Sequence, residues 1–518
     1  MAEHEAAQAL WVKVIDQTRC IGCHACTTAC KSENDVPVSV TRTYVKHVEV
    51  GQFPQARRAH QVTRCNQCQH APCVTACPTS AMFQRADGIV DFDKSICIGC
   101  KACMAACPYD AIFINPTDHS AEKCNFCAHR IDMGLEPACV VVCPVEAILV
   151  GDLNDPAAKV ARIVQREPVN VRRPEKETRP KLFYKGAHQA TLDPLAARRP
   201  TGGLFMWSEQ LETPAHVVAG NPTFSNSSAA ALLAYDVPHA LPWDWRVSLY
   251  TWTKGIAAGA YLVAALLLIF GYLTGLANSA RPIISANGAL WLWVAPVVSG
   301  LFLAATGGLL IWDLEHPERF YLIFTRPQWR SWLVRGAFII AGYSFVLALH
   351  FTAALLGQTT LQRWLIGAGL PLAVLTAVYT AYLFAQAKAR DLWQNPLLPP
   401  HLLVQSLVVG AATLLPFAFW LEPDAVAPLL WTIAATTLAH LLLVCGELTL
   451  THPTAHARLA TWELTRGRFK PFFWTSVLLT LFGCAAPLVG LAVVPLVLVG
   501  LLLYEHAYVQ VGQAVPLA

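Results

Sequence analysis

Charge is what this sequence has little of. Asp, Glu, Lys and Arg make up 14% of its 518 residues and apolar residues 55%, against ~25% and ~45–50% in an average soluble domain. That balance excludes a disordered chain and argues against an ordinary soluble enzyme. The net charge of +4 is too small to draw a polyanion, so nucleic acid is not an expected partner. Met1 to Lys13 holds neither a long apolar core nor a twin arginine, so no export signal is expected there. A nicotinamide-binding glycine fingerprint and a nucleophile constellation are also absent, so substrate chemistry is expected on another subunit. The charge that is present is unevenly spread. Residues 1–247 hold 25 Lys+Arg and 25 Asp+Glu, 50 charges in 247 residues, whereas residues 248–518 hold 13 and 9, 22 charges in 271. Cysteine is still more one-sided: sixteen of eighteen lie between Cys20 and Cys143, and only Cys445 and Cys484 lie beyond. A polar, cysteine-dense module is joined to a membrane module.

The sixteen cysteines form four runs. The first is Cys20, Cys23, Cys26 and Cys30; the second Cys65, Cys68, Cys73 and Cys77; the third Cys97, Cys100, Cys103 and Cys107; the fourth Cys124, Cys127, Cys139 and Cys143. Pro78, Pro108 and Pro144 follow the last three runs, while Lys31 follows the first. A cubane needs four thiolates converging on one body. Three close cysteines on a loop reach three irons, and the fourth, carried away as the chain turns into a helix, ligates the other cluster of a pair. Four runs therefore predict four clusters. Structural zinc also uses cysteines two apart, but it closes with two such pairs and has no use for the further cysteine three residues on. A disulfide framework fits poorly with a chain lacking an export signal.

Residues 10 to about 150 resemble the four-cluster ferredoxin subunits of the molybdopterin oxidoreductase family, such as those of dimethyl sulfoxide, polysulfide and formate enzymes. The resemblance implies that the first and fourth runs pair, as do the second and third. One [4Fe–4S] cluster is then held by Cys20, Cys23, Cys26 and Cys143, and its neighbour by Cys124, Cys127, Cys139 and Cys30. A third uses Cys65, Cys68, Cys73 and Cys107. The fourth uses Cys97, Cys100, Cys103 and Cys77, and in the family it lies nearest the quinone. Arg19, Lys101 and Lys123 are either potential-raising charges beside the clusters or solvated surface charge.

Residues 151–247 carry Pro168, Pro174, Pro180, Pro194 and Pro200, a charged run from Arg172 to Lys185, and Ser and Asn near Ser225 to Ser228. No period persists, so an extended linker is expected between a cluster domain at 1–150 and a membrane domain at 248–518. Apolar spans occur near 248–275, 287–312, 333–357, 363–386, 401–421, 426–447, 471–489 and 491–511, predicting an all-α bundle of about eight helices, or seven if the weakly separated last two merge. Tyr250, Trp252, Trp312 and Trp474 mark span ends. Loops on the amino-terminal side hold Arg319, Arg326, Arg330, Arg335, Lys388, Arg390, Arg458, Arg466, Arg468 and Lys470, and the other side holds Arg281 and Arg363. That asymmetry puts the cysteine domain on the cytoplasmic side of the cell (inner) membrane, unless the basic loops serve to dock it.

The membrane half resembles the NrfD/PsrC-type quinone-interacting subunits, through Lys254 to Tyr261 (KGIAAGAY) and Asp313 to Phe320 (DLEHPERF). What the resemblance implies is a site for a membrane quinone such as menaquinone, and Lys254, Asp313 and His316 are its expected contacts. Ionisable groups inside a membrane are costly and mark function by default. Lys254, Asp313, His401, Glu447, Glu505 and His506, with Tyr379, Tyr382 and Gln386, all fall toward the cytoplasmic ends. Glu447, Glu505 and His506 are candidates for a proton path or for a packing network. His350 and His440 stand alone, which argues against bis-histidine haem.

The sequence thus predicts an α+β ferredoxin-like multi-cluster domain followed by a polytopic bundle. It would relay electrons between a catalytic, molybdopterin-containing partner and quinone, with membrane lipid around it. Two rivals are an energy-converting module that moves protons, and a relay for a hydrogenase or cytochrome.

Overall fold

The computed structural model describes residues 9–51, 54–198, 231–278 and 287–518, with backbone alone for 274–278. Pro200, Ser225 to Ser228 and Arg281 lie outside the described residues. The amino-terminal part is α+β. Strand β1 (Trp11–Asp16) leads through the first cysteine loop into α1 (Ala25–Glu33). The hairpin β2 (Thr43–Val50) and β3 (Arg57–Arg64) ends one residue before Cys65. Then come α2 (Pro72–Ala76), β4 (Met82–Gln84), β5 (Val90–Phe92), α3 (Ala102–Ala106), β6 (Ile112–Ile114) and β7 (Ala121–Lys123). Helices α4 (Ala128–Ile131) and α5 (Ala138–Val141) and strand β8 (Ile148–Asp152) close the region. The hairpins β4/β5 and β6/β7 each follow one cysteine run. α1 packs on α5 and α2 on α3, so the helices that carry Cys26, Cys139, Cys73 and Cys103 meet in pairs.

Within 151–247, expected as an extended linker, the described residues 151–198 and 231–235 are built into this part instead. They supply α6 (Lys159–Arg166), β9 (Val169–Asn170), β10 (Leu182–Lys185), α7 (Gln189–Leu192) and β11 (Leu232–Tyr235). β10 lies parallel to β1, Lys13 opposite Leu182 and Asp16 opposite Lys185, in a sheet ordered β8-β1-β10-β9. β11 pairs antiparallel with β2. The physical need is an edge: β1 is buried beside β8 and would otherwise present unpaired backbone on its other side. Strands of two and four residues are too short to leave a period-2 signal.

The second part is helical. It comprises α8 (Trp245–Asn278), a π turn at Leu290–Val294 running into α9 (Ala295–Trp312), α10 (Leu322–Thr325), α11 (Trp332–Leu355), α12 (Thr359–Gln386), α13 (Leu398–Leu421) and α14 (Val426–Thr449). The chain ends with α15 (Ala455–Thr465), α16 (Lys470–Cys484), α17 (Ala486–Val489) and α18 (Val493–Gln513). Among the described residues seven helical stretches are long and apolar enough to cross a bilayer, so the protein is a multi-pass membrane protein. The expected span at 471–489 is the one that falls short. α16 has 15 residues, roughly 22 Å at 1.5 Å per residue, and breaks at Ala485 before the short α17. It packs against α18, whose last turn returns to Trp243 through Gln513.

α8 is the innermost helix, with 72% of its apolar window buried, whereas the same measure for α11 is 28%; the difference is surface left for lipid. α8 and α13 touch backbone to backbone. A Cβ on Gly259 would stand 1.7 Å from the Ser406 carbonyl oxygen, and one on Gly410 would stand 2.1 Å from the Gly259 carbonyl carbon. Small residues allow that approach, and dispersion between the helices holds it. Gly410→Val is expected to destabilise the detergent-extracted protein by about 1–3 kcal/mol through overpacking, read as a lowered thermal midpoint. Gly307→Ala, with no atom within 4 Å of its new Cβ, should leave that midpoint in place.

Candidate functional site

The cysteine loops are shaped by left-handed backbone. In the first and third runs the same pattern recurs: Gly22 and Gly99 have φ of 72° and 67°, and His24 and Lys101 both have φ of 60°. Gln67 and Phe126 hold the matching position in the other two runs, and Ser80, Asp110 and Glu146 are left-handed three residues after Cys77, Cys107 and Cys143. Such turns aim successive backbone N–H groups into one concavity, as an anionic body requires. The amides of Met82, Ala121 and Ala147 donate to the Sγ atoms of Cys77, Cys97 and Cys143 at 3.4, 3.4 and 3.2 Å.

All eighteen cysteines are free, and the sixteen have sulfur neighbours from more than one run. Cys20 neighbours Cys143 and Cys23, and Cys26 neighbours Cys20 and Cys143. Cys30 neighbours Cys124, Cys139 and Cys127; the Asn34 amide lies 3.7 Å from Cys30 Sγ and 3.9 Å from Cys127 Sγ. Cys73 neighbours Cys65, Cys107 and Cys68, and Cys103 neighbours Cys100, Cys97 and Cys77. The groups are also in line: Cys26 looks across to Cys139, Cys65 to Cys124, and Cys103 to Cys73. Among the described residues no three His, Cys, Asp or Glu side chains converge on a point that one ion could fill. A second sign of an anionic body is Arg64, buried with Nε and Nη2 unpartnered while Nη1 donates to Cys139 Sγ at 2.9 Å. Burial pushes the Cys139 thiol up, but Arg64 and Lys13 outweigh it and hold the group at about 7.

At one end of the line Cys23 is exposed, and so are Ile21, in the same loop, and Val141 and Val142, just before Cys143, a neighbour of Cys20. At the other end the third run is clamped to the helical part. The backbone N–H of Glu315 and of His316 donate to the carbonyls of Gly99 and Ile98. Lys101 Nζ meets Glu315 Oε1 at 2.9 Å and the Asp313 carbonyl at 3.1 Å. Arg319 donates to the carbonyls of Lys94 and Cys97, each at 3.0 Å, and Ser331 Oγ to that of Ala76 at 2.8 Å. Trp243 Nε1 donates to the Cys100 carbonyl at 3.3 Å.

Directly beside this clamp lies an apolar cleft of about 230 Å³, lined by Cys100 together with Trp243, Tyr250, Asp313, Tyr379 and aliphatic residues of α8, α9, α11 and α12. Ile311, Phe320 and Phe324 line it too and remain 36–41% exposed, so the cleft reaches the outer surface of the bundle. Asp313 has one carboxylate oxygen, Oδ1, without a hydrogen bond. Burial lifts its carboxyl to about 6 against the pull of Lys101 and Arg246.

Of the three expected quinone contacts, the structure puts only Asp313 on this cleft. Lys254 is one layer behind: it donates to the Ala377 carbonyl at 2.9 Å and to Thr380 Oγ1 at 2.7 Å, with Nζ 5.0 Å from the Tyr379 ring centre. His316 faces the cysteine part, its Nε2 2.9 Å from the Asp118 carbonyl. Lys254 shares a small cavity with Glu505. Beyond it His401 joins Glu447 at 2.9 Å and His440 at 2.8 Å, and Tyr504 donates to Glu447 at 3.0 Å. His506 stands apart, against Phe472, and His350 is bonded to the Trp291 carbonyl exposed by the π turn. Sequence reasoning missed Trp243 and Tyr250 as cleft residues. The aromatic run from Trp243 to Tyr250, at the start of the first span, was the available signal.

A thiol-lined relay fused to a membrane bundle defines a class, and similarity gives the family. Residues 236–501 match the family described as "Polysulphide reductase, NrfD", residues 59–153 match "4Fe-4S dicluster domain", and residues 11–32 match "4Fe-4S binding domain". The tetrathionate reductase B subunit of Salmonella typhimurium is 41% identical over 207 residues, 38% of this protein and 80% of its own length. The polysulfide reductase B polypeptide of Wolinella succinogenes is 42% identical over 171 residues, 32% of this protein and 90% of its own length. Protein NrfC of Escherichia coli K12 is 40% identical over 173 residues, 33% and 78% respectively. The protein belongs to the NrfD family and carries, in one polypeptide with that membrane subunit, an iron–sulfur electron-transfer subunit.

The clamp generates a prediction. A Cβ on Gly99 would stand 2.4 Å from Glu315 Cβ. Gly99→Val should lower the thermal midpoint and loosen the two parts, read as faster proteolysis between them, at a cost of about 1–3 kcal/mol. Gly134→Val carries a similar positive φ of 72° with no atom within 4 Å, and should leave the proteolysis rate unchanged.

Proposed function

We propose that this chain is the membrane-anchored relay of a quinone-linked oxidoreductase. It would hold four [4Fe–4S] clusters in line and exchange electrons between a catalytic, molybdopterin-containing partner and membrane quinone. The observation that carries this reading is the position of Cys100, which belongs to the last cysteine group and also lines the apolar cleft with Asp313. Electron carrier and cleft are in contact, and the cleft has the character of a quinone site: apolar walls, few polar groups, and an exit to the bundle surface for a tail.

The ligand sets supported by the groupings are Cys20, Cys23, Cys26 and Cys143; Cys124, Cys127, Cys139 and Cys30; Cys65, Cys68, Cys73 and Cys107; and Cys97, Cys100, Cys103 and Cys77. When bound, such cubanes supply one-electron relay. The chain's own residues do the rest. The exposed apolar rim of Ile21, Val141 and Val142 around Cys23 suits docking of the catalytic partner. Tetrathionate and polysulfide reductase subunits among the relatives support a partner of that kind. In the cleft, Asp313 Oδ1, which stands 3.6 Å from both Lys101 Nζ and Arg246 Nη2 but takes no hydrogen bond from either, accepts one from a quinol hydroxyl, and the rings of Trp243, Tyr250 and Tyr379 pack against the headgroup. Two protons must leave with two electrons. Behind Tyr379, Thr380 and Lys254 lead to Glu505, with the His401–Glu447 pair further on; this polar chain supports a proton exit. His316 acts at the clamp.

The basic loops support a cytoplasmic-facing relay in the inner membrane. Arg319 serves as a docking contact and Arg390 is buried on the carbonyls of Gln513 and Val515. The other eight remain as a one-sided excess over Arg363 among the described residues.

Asp313→Asn and Lys254→Ala are expected to cut quinol turnover roughly 10²-fold or more, the usual worth of a positioned proton acceptor, while the electron paramagnetic resonance signals of the clusters stay intact. Unchanged quinol kinetics in both variants would move the site elsewhere. Iron analysis of the purified chain should return about 16 irons, four cubanes of four, and a chelator-stripped sample should lose the relay.

A further inference from the structure

The sixteen thiols do not share one electrostatic environment. Arg64, the last residue of β3, and Lys13, on β1, are both buried, and both turn their charged ends to Cys139: Arg64 Nη1 at 2.9 Å from Sγ and Lys13 Nζ at 3.8 Å. Neither forms an ion pair with a carboxylate among the described residues, and Arg64 keeps two further nitrogens without any partner. Two buried cations so close, with no counter-charge of their own, are costly unless an anion sits between them. Asn34 adds a neutral donor to Cys30 and Cys127 of the same group.

Among the described residues the other groups have no cation bonded to sulfur. Lys123 and Lys181 lie buried near Cys65, but their donors go to the Val90, Cys124 and Gly88 carbonyls and none reaches a thiol. At the membrane end, Lys101 is taken up by Glu315 and Asp313, and the Asp313 carboxylate itself stands near Cys100. Cys77, Cys97 and Cys143 receive backbone amides only, apart from a 4.0 Å contact of Cys77 with Thr79.

A cubane with four thiolates is anionic when oxidised and gains one more negative charge when reduced. A fixed cation therefore stabilises the reduced form more and raises the potential, and a hydrogen bond to sulfur acts in the same direction. We infer that Arg64 and Lys13 make the cluster held by Cys124, Cys127, Cys139 and Cys30 the highest-potential cluster of the chain, an electron-holding stop one step inside the exposed end. This rests on the four-cluster reading and adds to it an order of potentials.

The test is a redox titration of the purified full chain followed by electron paramagnetic resonance, on wild type and on Arg64→Met, Lys13→Met and Asn34→Leu. Iron and sulfide analysis of the wild type checks the cluster count separately, so a shortfall there strikes the four-cluster reading and leaves the midpoint comparison to stand or fall by itself. The expected result is that the cluster reduced first in wild type is shifted down in all three variants, with a smaller shift in Arg64→Met for the neighbouring cluster that Cys26 ligates. Loss of the Arg64 charge-assisted bond should lower its reduction equilibrium constant about tenfold or more, ~59 mV per tenfold for one electron. Arg64→Lys should recover part of the shift. If Arg64→Met loses the cluster outright, Lys13→Met and Asn34→Leu still read the effect on an intact one. Midpoints unmoved with full iron content, or variants that shift another cluster more than the first one reduced, would overturn the inference.

Discussion

The structure depends on one contact between its two halves: the backbone of Ile98 and Gly99, inside the third cysteine run, hydrogen-bonded to the segment Glu315–His316 that leaves α9. Lys101, Trp243 and Arg319 tighten it from three sides. Because the contact is made by main chain at positions with fixed geometry, the distance between the last cysteine group and the bundle is set by folding and not by a tether. The apolar cleft exists where it does because this clamp closes its upper wall with Cys100.

A second constraint runs along the cysteine part. In the proposed ligand sets each cluster takes three thiols from one run and the fourth from another, so no run completes its site alone. The helices carrying Cys26 and Cys139, and those carrying Cys73 and Cys103, must pack before any site closes. That interlocking, together with β10 and β11 returning to β1 and β2, converts a small core into a rigid body. The same economy governs the bundle, where Gly259 and Gly410 let α8 and α13 touch.

Much of this was legible in the sequence. The spacing of cysteines within a run is local, so the iron–sulfur character of the amino-terminal part was legible in the runs themselves and in their likeness to four-cluster ferredoxins. The membrane spans were legible because about twenty apolar residues in a row have few other uses. What escaped was assembled from distant pieces. The cleft draws Cys100, Trp243, Asp313 and Tyr379 from four places in the chain, and Lys254 reaches only its back wall. β9 and β10, of two and four residues between prolines, carry no period to read, so a region expected as an extended linker proved to be sheet. α16 is apolar along its length but stops at Ala485, which hydropathy alone does not register.

The most direct measurement is the electron paramagnetic resonance spectrum of the reduced protein with and without a bound quinone-site inhibitor. Contact between the last cysteine group and the cleft predicts that the inhibitor alters the line shape of one cluster signal only, and that Cys100→Ser abolishes that response while the remaining signals persist. An inhibitor that blocks quinol turnover yet leaves every cluster signal unaltered would contradict it.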